Sequence, residues 1–141
     1  MKRIQNQAAR WAAGVSFFFA AISGHAAMSD ALKLAGDQEV PPVKTSGSGT
    51  GAITVSADGS ISGSVTTLGI AGTMAHVHAG AAGANGPVII PLTKTAEGVW
   101  SVPPGTKLSA EQLKAYQAGG LYVNVHTEAN KGGEIRAQLM P

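Results

Sequence analysis

The sequence predicts an all-β fold, an antiparallel β-sandwich with Greek-key-like connections and one short helix. Three observations predict it. Short runs rich in β-branched and small residues recur after residue 27, turn residues separate them, and a single segment carries helix signals.

Residues 1–26 stand apart from that pattern. Lys2, Arg3 and Arg10 give a basic start, and Trp11 to Ile22 form an apolar run shorter than the ~20 residues a helix needs to span a bilayer. Gly24-His25-Ala26 then offers small residues suited to signal cleavage. A secretion signal cleaved after Ala26 is expected, with Ala27 as the near alternative. The remaining domain, 27–141, is expected in the periplasm or outside the cell, without a membrane span.

Within that domain, Leu32 and Leu34 alternate as an entry strand. Glu39-Val40-Pro41-Pro42 is excluded from a helix interior, because proline lacks the amide donor and restricts its predecessor, so the segment is expected to run extended along an edge. Ser48 to Val55 and Ser60 to Leu68 read as a hairpin around the turn Ala57-Asp58-Gly59. Gly72 to His78, Pro87 to Leu92 and Gly98 to Val102 give three more strands, with the glycine-rich Gly80 to Gly86 as a loop after the first of them. Ser109 and Gln112 form a capping box for one helix that Gly119-Gly120 stops. Leu121 to Thr127 and Gly133 to Leu139 close the fold, joined by a turn at Ala129 to Gly132.

The whole chain carries a formal charge of +2, but three of its ten basic residues lie before residue 27, which leaves seven Lys and Arg against eight Asp and Glu in the domain. A nearly neutral domain lacks the clustered basic surface that displaces counterions, so nucleic acid is excluded as a partner. The absence of cysteine excludes disulfides, thiolate metal sites and Cys nucleophiles.

The chemistry concentrates in histidine. The domain has three, His76 and His78 in His76-Val77-His78 and His126 in Leu121-Tyr122-Val123-Asn124-Val125-His126. Side chains two apart on a strand share a face, so His76 and His78 point together, away from Ala75 and Val77. By the same rule Tyr122, Asn124 and His126 oppose the apolar row Leu121, Val123 and Val125. If the two strands are neighbours, three imidazoles converge on the solvent side of one sheet. Three imidazole nitrogens suit a mononuclear metal site with an open position for water, an anion or the Met74 thioether. Copper is the first choice and zinc the second, given the expected export and the lack of thiolates. Tyr122 and Asn124 could orient a ligand by hydrogen bonding. Glu39 reads as an edge residue, and Glu128 and Glu134 as solvated turn charges. No Ser-His-Asp pattern or paired carboxylate marks a catalytic residue, so an enzyme is the lesser reading.

These motifs resemble a known family. Glu39-Val40-Pro41-Pro42-Val43, Ala75-His76-Val77-His78-Ala79-Gly80, Asn85-Gly86-Pro87-Val88, and Leu121 to Thr127 with Gly132 to Leu139 are similar, in order, to the CHRD (chordin) domain in its single-domain exported bacterial type. The resemblance implies a β-sandwich and places His76, His78 and His126 at the family's histidine motifs. The His-Val-His strand also resembles the copper-binding strand of the Cu,Zn superoxide dismutases, but the cysteine pair, the zinc loop and a fourth domain histidine are missing. The leading expectation is therefore an exported copper-binding protein serving copper handling or electron transfer. A non-metal module binding another exported protein is the alternative, and a small copper redox enzyme is a third class.

Overall fold

The computed structural model describes residues 31–141; the secretion signal expected over residues 1–26 lies outside them. In chain order, the described residues form β1 (Leu32–Leu34), β2 (Ser48–Val55), β3 (Ile61–Leu68), β4 (Gly72–Ala79), β5 (Val88–Pro91), β6 (Thr93–Ala96), β7 (Val99–Ser101), α1 (Ala110–Gln117), β8 (Leu121–Thr127) and β9 (Ile135–Leu139). Two antiparallel sheets result, ordered β1-β2-β3-β7-β6 and β5-β4-β8-β9. In the second sheet two hairpins, β4–β5 and β8–β9, lie side by side, and the β4–β8 pairing between them brings the two histidine strands together.

Period-two patterning decides what meets between the sheets. Leu34, Ile53, Ile61, Val65 and Trp100 of the first sheet join Ala75, Val77, Val123, Val125, Ile135 and Leu139 of the second in one buried core. Each fully buried aliphatic contributes ~1.5–3 kcal/mol relative to exposure, so the core fixes register: a one-residue slip of β8 would turn Val123 and Val125 outward. The helix forms where the capping box predicts it. Ser109 Oγ accepts from the Gln112 amide at 3.1 Å, and Gln112 Oε1 accepts from the Ser109 amide at 2.9 Å.

The structure adds one strand that the sequence conceals. β6 is Thr-Lys-Thr-Ala, exposed at every position and at the sheet's edge, so no apolar alternation announces it. Its lysine is a common edge-strand device against unwanted pairing.

The larger departure is on the far side of the second sheet. That face was expected to be solvated, yet all seven residues of β8 are buried. The segment around Gly36–Gln38 and Glu39 lies across β9 and β8, tied by reciprocal Ala35–Arg136 backbone bonds, and the Gly80–Gly86 loop folds over from the other end. Two expectations are corrected accordingly. Glu39 is 4 % exposed and bonded to Asn124 rather than standing on an edge, while Glu134 is buried rather than solvated. Glu128 does remain an exposed turn charge, beside Lys131 at 3.1 Å.

Glu134 is buried as an anchored carboxylate. Thr45 Oγ1 donates to Oε1 at 2.6 Å, Asn130 Nδ2 donates to Oε2 at 3.1 Å, and the Thr127 hydroxyl donates to Oε2 as well. Burial alone would raise its pKa, but these donors favour the charged form by more and hold it below the ordinary carboxylate value. A depressed native pKa stabilises the fold above the unfolded-state pKa, and that contribution is lost as pH falls through the native one. Glu134→Gln should therefore cost about 1.5–3 kcal/mol at pH 7, with the gap to wild type closing toward pH 3. Urea unfolding at the two pH values measures it, and a gap independent of pH would show that the charge is not the stabilising element.

Candidate metal centre

Register places the histidines. Across β4 and β8, Met74 pairs with His126, His76 with Asn124 and His78 with Tyr122; across β8 and β9, Asn124 pairs with Arg136 and Tyr122 with Gln138. The face away from the core is thus a polar grid. One nitrogen from each of His76, His78 and His126 lies within 4.8 Å of the others, the only such group of three metal-ligating side chains among the described residues. The expected convergence occurs, but under a cover of loops: His78 and His126 are buried, and only His76 is partly open.

Backbone carbonyls fix two of the rings. His78 Nδ1 donates to Gly86 O at 3.0 Å and His126 Nδ1 donates to Lys131 O at 2.8 Å. In neutral imidazoles this leaves the lone pair on each Nε2. His126 Nε2 accepts from His76 Nδ1 at 3.0 Å, whereas His78 Nε2 is buried with no partner. Movement of the His76 proton to its own Nε2 would free a third lone pair in the same space. Carbonyl bonds to the remote nitrogen are the usual means by which a protein orients metal-binding histidines.

Burial favours the neutral form of His76 and His78. The His76 pKa is lowered by burial, then by the His126 and His78 rings. Burial also lowers that of His78, against the hydrogen bond to Gly86 that would favour the charged form. Glu39 is likewise pushed up by burial, partly offset by the Asn124 amide and the Arg136 charge.

Around the rings sits a support that sequence patterning did not single out. The Arg136 guanidinium lies 3.5 Å over the Tyr122 ring, and Tyr122 stacks on His78 at 4.7 Å between centroids and 4° between planes. Arg136 is 1 % exposed and donates to Ala81 O at 3.0 Å and Gln138 Oε1 at 3.2 Å, with Asn85 Oδ1 at 3.5 Å. Gln138 Nε2 in turn donates to Gly80 O and Gly119 O. Tyr122, expected to orient a ligand by hydrogen bonding, instead supports His78 by stacking and accepts from the Gly86 amide at 3.2 Å. Met74 stands opposite His126 and is 50 % exposed.

The sequence profile of the CHRD domain matches residues 31–139. No curated protein and no solved structure gives a significant match. No helix among the described residues is long and apolar enough to cross a membrane.

Proposed function

The chain belongs to the CHRD domain family, and on that premise we propose that it is an exported mononuclear metal-binding protein whose ion is held by His76, His78 and His126. The observation that carries this reading is the unpartnered Nε2 of buried His78, on a ring that lies with two further imidazoles so that one nitrogen of each is within 4.8 Å of the others. Ligand bonds of ~2.0–2.1 Å require donors less than ~4.2 Å apart, so a spread of up to 4.8 Å closes with small ring rotations.

Imidazole donors suit copper, zinc, nickel and iron, and among divalent ions copper binds such donors most tightly. Copper is thus the first assignment and zinc the second. A copper ion there would supply one-electron exchange. The protein's own part is to hold two rings from behind through Gly86 O and Lys131 O, to exclude water from His78 and His126, and to leave His76 at the open side as the route of exchange. Copper handling outside the cytoplasm is the use these features support best, with electron transfer second.

Metal analysis after equilibrium dialysis of stripped protein tests the proposal. Wild type should retain one copper or zinc per chain, and His76→Ala and His126→Ala should retain little. Uptake by wild type no greater than background would end this reading.

A further inference from the structure

Two buried acceptors without donors belong to neighbouring strands of the histidine face. His78 Nε2 and Asn124 Oδ1 are both inaccessible, and neither has a hydrogen-bond partner. Asn124 is 1 % exposed and occupies the centre of the site, opposite His76 across the ladder, diagonal to His78 and two residues from His126 on the same face of β8.

The amide is held in one orientation. Its Nδ2 donates to Glu39 Oε1 at 3.3 Å and to Gly132 O at 3.4 Å. The Gly132 carbonyl can only accept, so a flip would set oxygen against oxygen. Gly133 closes the back of the pair: its φ is +125°, and a Cβ there would collide with both Asn124 Nδ2 and Glu39 Oε1. Oδ1 is therefore aimed at the rings by construction. An unpaired buried acceptor costs ~1–3 kcal/mol, and a cation held between residues on neighbouring strands relieves two of them at once.

Building on the three-histidine site, we propose that Asn124 Oδ1 is its fourth donor, giving three imidazole nitrogens and one amide oxygen, a set that selects a divalent ion over Cu(I). The amide oxygen is a hard donor, whereas Cu(I) is favoured by thiolates and thioethers. Glu39, accepting from Nδ2, adds electron density to Oδ1 in the way an outer carboxylate does for a ligating imidazole.

The test compares Zn(II) and Cu(I) affinities of wild type and Asn124→Ala by competition with chromophoric chelators, with Cu(I) handled anaerobically. Beside it, the side-chain 13Cγ resonance of Asn124 is followed in wild type as Zn(II) is added. Zn(II) binding should weaken about 10- to 100-fold in the variant, Cu(I) binding should change far less, and 13Cγ of Asn124 should shift with one equivalent of Zn(II) by more than those of Asn85 and Asn130. The proposal is overturned if wild type binds one Zn(II) in a His126-dependent manner while the Asn124 resonance moves no more than those two. That result leaves the three-histidine reading standing; absence of any metal binding by wild type removes both. Because the resonance is read in the unaltered chain, the outcome does not depend on whether Asn124→Ala folds.

Discussion

Arg136→Leu should lower unfolding free energy by about 3–5 kcal/mol, the range for removing one partner from a buried charged network. The guanidinium is almost wholly buried. Its loss leaves Ala81 O without its side-chain donor and frees Gln138 Oε1 and Asn85 Oδ1. It also leaves Glu39, already pushed toward protonation by burial, without the nearby positive charge that lowers its pKa. Leucine fills part of the volume but answers none of these groups. The damage should extend to the candidate site, because the face of Tyr122 that Arg136 covers is the support for the ring stacked on His78. Denaturant unfolding of the metal-free variant gives the first number, and a loss below about 1 kcal/mol, the scale of one ordinary hydrogen bond, would show that Arg136 is dispensable. Metal affinity of the folded variant gives the second, expected to fall about tenfold, as for other groups that orient ligating side chains.

Why Arg136 escapes a reading of the sequence, while the histidines do not, is a matter of what alternation encodes. In Ala75-His76-Val77-His78 and Val123-Asn124-Val125-His126 the period of two separates core from far face without ambiguity, and antiparallel pairing of β4 with β8 then brings the rings together. The same period assigns Arg136 and Gln138 to the far face, but polarity at alternate positions ordinarily means solvent, and charged residues are seldom buried. Whether that face meets water depends on distant segments. Here the cover comes from Glu39, nearly a hundred residues before Arg136 in the chain, and from the Gly80–Gly86 loop. Nothing local to either β8 or β9 announces them. Gly80, Gly86 and Gly133 are the one trace in the sequence, since close approach of backbone to a packed polar face needs positions without side chains: a Cβ on Gly86 would collide with Ala79 O, and one on Gly133 with Asn124 and Glu39. The exposed β6 was hidden for the opposite reason, having no buried face to pattern.

Metal should stabilise the fold, and the size of that effect discriminates between a site built for an ion and a polar cluster complete without one. At a free concentration one hundred times Kd, an ion that binds only the native state adds about 2.7 kcal/mol, which for a domain of this size corresponds to a rise in Tm of about 10 °C. Against this stands the loss of the His76–His126 hydrogen bond, worth about 1 kcal/mol; it is already contained in the measured Kd, so the linkage holds as written. The rise should be absent in His126→Ala, whose remaining imidazoles cannot close the triangle of donors. The metal-free variant should itself lose about 2–3 kcal/mol, since the alanine removes two hydrogen bonds, one to His76 and one to the Lys131 carbonyl, each worth ~1 kcal/mol, and leaves the volume of a buried ring unfilled. The two effects are thereby separable in one pair of melting curves, metal-free and metal-loaded. Wild type that melts at the same temperature in both states, at saturating copper and at saturating zinc, would mean that the three imidazoles satisfy one another and the surrounding carbonyls without an ion. The unpaired Nε2 of His78 argues for the other outcome, because a cluster complete in itself would have no reason to bury a lone pair without a donor.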